Sequence, residues 1–248
     1  MERRTFIQLC AVGGGCMGSA ATDTTEAASP PAPPPKKSGT TLARKVYAKA
    51  KLVDRDGRAI KARTLKRNHN YVFNYPFEGT PCFLLNLGKP PKPLNELLTE
   101  KGDAYAWPGG VGPERSIVAY SAICAHKLAY PSPQVSFISF RDKPSGISST
   151  GGVIGCCADK SVYDPNNGAR VLSGPAPQPL ATIVIEHDPK TDELFAVATI
   201  GGEKFDAFFE KYAFKLSLET GGNRAAERVG KTTVLRDLSA HSQQTAQC

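Results

Sequence analysis

Between Tyr71 and Thr199 the apolar runs are short and each is cut off by turn-forming residues, and this punctuation constrains the fold more than any other feature of the chain. The runs are Cys82 to Leu87, Ser116 to Ile123, Val135 to Phe140, Gly152 to Gly155, Ala181 to Glu186 and Glu193 to Thr199. Between them stand Lys143-Pro144-Ser145-Gly146, Asp164-Pro165-Asn166-Asn167-Gly168 and Asp188-Pro189-Lys190-Thr191-Asp192, all built from residues that turns require. With 23 glycines and 20 prolines in 248 residues, a helical bundle is disfavoured and a loop-rich β protein expected. Only Phe205 to Leu216 has helical spacing, with Phe205, Phe208, Phe209, Tyr212, Ala213 and Leu216 on one face that is expected to pack against the sheet. The expected architecture is mainly antiparallel β with one short C-terminal helix. An apolar content of 40% excludes a wholly disordered chain, and no uncharged apolar run reaches the roughly 18 residues of a bilayer span, so the body reads as soluble.

The chain opens Glu2-Arg3-Arg4-Thr5-Phe6, and its paired arginines precede a weakly apolar, Gly-rich stretch that ends in Gly18, Ser19, Ala20 and Ala21. This resembles a twin-arginine (Tat) export signal over residues 1–21, which implies a periplasmic or membrane-associated protein exported in the folded state. Folded export makes a cofactor inserted before export a live expectation. Cys16 follows three glycines and imperfectly resembles a lipidation site, a route to a membrane tether through the N-terminus, whereas Cys10 is part of the apolar stretch. Residues 22–44, with Pro30, Pro31, Pro33, Pro34 and Pro35, read as a semi-rigid extended linker.

The net charge of +8 is local: Lys36 to Arg67 holds twelve basic and two acidic residues, and the rest sums to about −2. No aromatic platform or helix-turn-helix pattern is interleaved with these charges, so a nucleic-acid partner is not expected. Residues 45–70 read instead as a solvated basic hairpin, with Lys45 to Val53 and Arg58 to Leu65 flanking the turn Asp54-Arg55-Asp56-Gly57 and facing anionic lipid or an acidic partner.

Two segments carry metal-binding chemistry. Cys124 and His126 stand two residues apart, and Cys156, Cys157 and Asp159 lie in a second segment, Val153 to Pro165. Thiolate and imidazole donors from two loops suit zinc or an iron-sulfur cluster; burial as small hydrophobes beside turns is the plain alternative for the cysteines. His69 and His187 read as solvated, and the C-terminal 46 residues hold one histidine, His241.

The order Cys124-x-His126, then Cys156 followed by Ser161-x-Tyr163-Asp164, then Gly174-Pro175-Ala176-Pro177 before a strand resembles the Rieske [2Fe-2S] family over about Phe73 to Gly202. That resemblance implies a Rieske-type antiparallel β-sandwich over residues 71–202 with a cluster-binding subdomain, which leaves the helix read from its spacing and a tail over residues 203–248. It implies a [2Fe-2S] cofactor, with Ser161, Tyr163, Gly174 and Pro175 tuning or covering the cluster. The departures are specific. The family's second histidine falls on Asp159, its following glycine on Lys160, and two cysteines that form a disulfide in some members fall on Ala129 and Ala158. The segment from His126 to Cys156 is longer than usual and has room for an added hairpin around Val135 to Arg141. Three readings stay open: Asp159 completes the set of Cys124, His126 and Cys156; Cys157 supplies a third thiolate instead; or the cluster is lost and the fold persists as a scaffold.

The function implied is an electron-transfer protein, or the electron-transfer subunit of an oxidoreductase rather than a stand-alone enzyme, working with a redox partner protein or a membrane electron-transfer complex. No catalytic residue is assigned. The alternative is a non-redox binding or structural protein with a degenerate cluster site. Of the remaining cysteines, Cys82 sits in an expected strand and Cys248 ends the chain; a bond between them is the candidate bridge in an oxidising compartment, against burial for Cys82 and a free thiol for Cys248.

Overall fold

The computed structural model describes residues 40–248; the export-signal and lipidation expectations, Cys10, Cys16 and most of the linker lie outside the described residues. The linker reading ends early, since Thr41 already bridges Ala104 and Leu42 donates its amide to the Ala104 carbonyl at 2.7 Å.

The chain is mainly β. Eight strands form one sheet in the order Thr232–Val234, Lys45–Val53, Glu193–Ile200, Thr182–Asp188, Ile117–Ser121, Pro81–Asn86, Tyr71–Asn74, Arg236–Asp237. The first and last of these are separated in sequence only by Leu235, so the sheet must curl until its two edges nearly meet. Leu235 donates its amide to the Val53 carbonyl at that seam. Curling removes the open edges that would otherwise recruit other chains.

Alternation explains how one strand serves two cores. In Pro81–Asn86 every residue is buried: Cys82 and Leu84 point into a cluster with Leu52, Phe73, Tyr75, Ala119, Ile183 and Ala196, whereas Phe83 and Leu85 point the other way. Their side joins Val118, Tyr120, Trp107, Ile138, Ile154 and Tyr163 in a second cluster, which also contains Cys124 and Cys156. That second cluster is roofed by a four-stranded sheet in the order Arg170–Ser173, Ser161–Asp164, Val153–Cys156, Ile138–Arg141.

Three expectations are corrected. The basic hairpin does not form as two strands: Lys45–Val53 pairs with Glu193–Ile200 and Thr232–Val234, while after the tight turn at Gly57 only Val53 bridges Ala59 before a 3₁₀ turn at Ala62–Thr64. Lys49, Lys51 and Lys61 meet Glu186 and Glu193 across those partners, so the basic run is partly neutralised. The added hairpin also does not pair with itself, because Ile138–Arg141 joins Val153–Cys156 and Val135–Ser136 pairs with Gln244–Thr245 near the C-terminus. The helix Phe205–Thr220, kinked at Tyr212, packs its aromatic face mainly against loop residues. Phe208 meets Tyr130 at 4.9 Å between ring centroids, and Phe77 meets Phe209 at 5.4 Å, both edge to face. Ile123 and Tyr130 belong to this cluster, so the helix buttresses the loop that carries Cys124 and His126. No helix among the described residues is long and apolar enough to cross a membrane.

Candidate metal centre

The first donor loop leaves strand Ile117–Ser121 and folds back on itself: the Cys124 amide donates to the Ala129 carbonyl at 2.9 Å and the Leu128 amide to the Cys124 carbonyl at 3.0 Å. The second is the turn between Val153–Cys156 and Ser161–Asp164, closed by the Lys160 amide on the Cys156 carbonyl at 2.8 Å. Lys160 sits at φ +62°, a left-handed conformation that suits glycine and costs a side-chain-bearing residue about 1 kcal/mol. The turn thus keeps a glycine-like shape without glycine.

A third segment presses on this turn from the side. Gly174 has φ +88°, and a Cβ there would lie 2.5 Å from the Ser161 Cα and 2.6 Å from the Lys160 oxygen. Only glycine lets the Gly174-Pro175-Ala176-Pro177 segment approach so closely.

The two loops bring Cys124, Cys156 and Asp159 together, with one donor atom of each within 4.8 Å of the others. Both thiols are fully buried, and the Asp159 side chain is 2% exposed. Asp159 accepts from the Ser161 amide at 3.0 Å and from the Cys124 thiol at 3.2 Å. His126, more exposed at the rim, places Nδ1 3.0 Å from Asp159 Oδ2; it reaches the carboxylate and is not in the three-residue group. Burial works against the charged form of Asp159, but the Ser161 amide and the Cys124 and Cys156 thiols outweigh it and hold the carboxyl below its ordinary range.

The two thiols are unequal. The neighbouring Cys156 thiol lowers the pKa of Cys124 against the opposing effect of burial, with help from the Tyr163 hydroxyl at 3.3 Å and the amides of His126 and Lys127. Cys156 is pushed well up by Cys124 and by burial. The two thiols share one proton more readily than either would alone, so a thiolate forms at this pair at less cost than at an isolated buried cysteine. Tyr163 also accepts the Ala125 amide at 3.2 Å, pinning the start of the first loop.

Cys157 is spoken for. It forms a disulfide with Cys248, 91 residues away, so it offers no thiolate, and the expected Cys82–Cys248 bridge does not exist. Cys82 is a free, buried thiol that donates to the Tyr75 carbonyl at 3.0 Å. Sequence reasoning missed this pairing because neither spacing nor pattern ties residue 157 to the last residue. His69 and His187 are not simply solvated: each meets a carboxylate, Asp237 at 2.6 Å and Asp192 at 2.9 Å.

A [2Fe-2S] cluster takes four protein ligands, with thiolates on one iron and, in Rieske centres, imidazoles on the other. The residues here offer two converging thiols of the kind that hold one iron, a carboxylate beside them, and one imidazole bonded to that carboxylate from the rim, so the thiolate half fits such a group and the other half departs from it. A second feature fits it. Ser161 lies directly across the hairpin from Cys156, and its buried hydroxyl has no hydrogen-bond partner among the described residues. A bare buried hydroxyl costs about 1–3 kcal/mol, and an inorganic sulfide beside Cys156 would give it an acceptor. The Cys124–Asp159 contact belongs to the protonated thiol, and a cation held by Cys124 would displace that proton.

No family model matches the chain. It is similar in structure to the soluble domain of the Rieske protein II (soxF) from Sulfolobus acidocaldarius, with 24% sequence identity over 64% of this chain and 82% of that one, at a TM-score of 0.46.

Proposed function

We propose that this chain is a Rieske-type electron-transfer protein, exported through its twin-arginine signal, whose cluster is held by Cys124, His126, Cys156 and Asp159. The observation that carries the reading is the convergence of Cys124, Cys156 and Asp159 from two loops in a buried pocket with His126 at its rim. When bound, a [2Fe-2S] group supplies one-electron transfer. The chain's own residues do the rest. Cys124 and Cys156 lose protons to bind, and Asp159 brings a charge already stabilised by the Ser161 amide. The helix Phe205–Thr220 backs the first loop, Ala176 packs against the cluster that holds Cys124 and Cys156, and His126 is the half-exposed donor facing a partner.

Two imidazoles on one iron hold Rieske potentials at about −150 to +300 mV, and an anionic carboxylate in place of one imidazole favours the oxidised state. The expected midpoint is therefore low for a Rieske centre, with the Ser161 and Tyr163 hydroxyls partly opposing the shift. The partner is a redox protein or a membrane electron-transfer complex in the periplasm or at the membrane, reached through a rim that carries Lys127 and Lys160 rather than through a nucleic-acid surface.

Iron and acid-labile sulfide analysis with EPR of reduced protein matured in a Tat-competent cell tests the reading. About two irons and two sulfides per chain with a reduced-state signal are expected; iron-free, sulfide-free protein sinks it. A second reading, a non-redox protein on a degenerate site, is favoured by the direct Cys124–Asp159 contact at 3.2 Å, which closes the pocket without any metal. Asp159→His separates them, because a ligand position accepts imidazole and shifts the visible spectrum, while a merely structural aspartate gives no spectral response.

A further inference from the structure

The C-terminal end of the chain bonds to the segment just beyond the first donor loop and finishes covalently beside the second. Starting just after Tyr130, Pro131 and Ser132 accept bonds from His241 Nε2 at 3.0 Å and from the Ser242 hydroxyl at 2.7 Å. The Gln243 and Gln244 amides then bond the Pro133 and Gln134 carbonyls at 2.9 and 3.2 Å, and Gln244–Thr245 runs parallel to Val135–Ser136. The Ala246 amide continues the ladder to the Ser136 carbonyl at 2.9 Å. Two residues later Cys248 is bonded to Cys157, the neighbour of Cys156.

The junction is built around that bond. The Arg141 guanidinium donates to the Ala246 carbonyl at 2.8 Å and approaches the Cys157 sulfur at 2.9 Å. The Gly146 amide donates to the Cys248 carbonyl at 2.8 Å, and a Cβ on Gly146 would lie 2.7 Å from the Cys248 carbonyl carbon. The Cys157 amide is held by the Phe137 carbonyl at 2.7 Å. Ala129, in the first loop, and Ala158, in the second, line one surface cavity and can form no cross-link.

We propose that the C-terminal strap is the tether between the two donor loops, and that Cys157–Cys248 is a thiol–disulfide exchange site at which a dithiol reductant opens it. Cys157 and Cys248 act as positioning residues: they touch no bound group but hold Cys156 and Asp159 in register with Cys124 and His126. Both are only half-buried, so a small dithiol or the exposed cysteines of a dithiol protein reach them, whereas Cys124 and Cys156 are sealed. In the step, a thiolate of the reductant attacks one sulfur of the bridge and forms a mixed disulfide, and its second thiol resolves it. The Cys157–Cys248 bond breaks, a disulfide forms in the reductant, and two electrons and two protons pass to the Cys157 and Cys248 thiols. The freed end leaves the second loop connected to the strap only through hydrogen bonds.

The consequence for the centre rests on the ligand roles proposed above, but the decisive measurement needs no metal. Metal-free full-length protein is alkylated with iodoacetamide and the labelled cysteines are followed by peptide mass spectrometry. Three samples are compared: the oxidised parent, the parent briefly reduced with dithiothreitol and freed of it, and the Cys157→Ala/Cys248→Ala double variant. Opening the strap is expected to speed alkylation of Cys124 and Cys156 about tenfold or more, with Cys82 unchanged because it lies in the other core. Unchanged rates at Cys124 and Cys156 would overturn the tether. A parallel rise at Cys82 would overturn it too, because the bridge would then hold the whole fold rather than the loops. The reduced parent keeps the test alive should the double variant misfold. Failure of the cluster reading shows up separately, as protein that never binds iron while the labelling pattern stands.

Discussion

Cys82 and the pair Cys124 and Cys156 are equally buried, yet only the pair lies beside an ionisable carboxylate. Cys82 lies mid-strand among apolar side chains, its thiol spent on the Tyr75 carbonyl, and burial alone drives its pKa far up. Cys124 is equally buried but meets the Cys156 thiol, the Tyr163 hydroxyl and two loop amides, which lower its pKa against the effect of burial. Loops can aim amides and side chains at a sulfur, while a strand in a sheet has already committed its amides to neighbours. Burial sets the penalty for a charge; the polar neighbours decide whether the charge forms.

The sharpest way to break this contrast is substitution to alanine on each side. Cys156→Ala is expected to lower iron affinity at least about a thousandfold by chelator competition, because removing even an outer partner of a ligand costs about 10–100-fold. Cys82→Ala leaves that affinity unchanged, and equal losses at the two positions would erase the distinction. Next in size, Gly174→Ala should destabilise the protein by about 2–3 kcal/mol in urea unfolding, since its Cβ meets the Ser161 and Lys160 backbone. Gly57→Ala, also at positive φ but with nothing within 4 Å, should cost about 1 kcal/mol. Cys82→Ala itself should cost about 1 kcal/mol for the lost sulfur packing.

Smaller effects sharpen the electrostatic half of the comparison. Burial and the Arg236 charge lower the pKa of His241 from 6.5, although its bond to Pro131 works the other way, and Glu219, Arg224 and Glu227 line the same cavity. A folded-state pKa below the unfolded one means that stability is intact above about pH 6.5 and declines as pH falls from there toward the folded value. Hydrogen exchange at the Ser242 and Ala246 amides should therefore quicken between about pH 7 and pH 5.5 beyond its intrinsic trend, and His241→Gln should flatten the difference. Least of all, Ser161→Ala in metal-free protein should shift stability by no more than about 0.5 kcal/mol or raise it slightly, because the hydroxyl has no partner to lose. A loss above about 1.5 kcal/mol would mean the hydroxyl is already satisfied without a metal.

Much of the fold could be read from the chain. The strands around Cys82, Ile117, Val153, Thr182 and Glu193 and the helix from Phe205 all stand where alternation, turn residues and helical spacing place them. What escaped were Leu94–Leu98, Ala104–Trp107, Ser161–Asp164 and Arg170–Ser173, and the still shorter Thr232–Val234, Arg236–Asp237 and Gln244–Thr245, all too short to show a period, so that pairing gives them their identity. The basic segment misled for a related reason. Its alternation is real, but the partner of Lys45–Val53 lies nearly 150 residues further on and not across the adjacent turn.

By itself the sequence determined which residues are candidate donors, because Cys124-x-His126, Cys156 to Asp164 and Gly174 to Pro177 are local patterns set by the shape of a turn and the reach of a side chain. Only the tertiary structure decided that Cys157 is bound to Cys248, that Asp159 faces Cys124 as well as His126, and that Leu235 joins the two edges of one sheet. Those outcomes depend on distances between segments tens of residues apart, which the packing of two cores sets and no local spacing encodes.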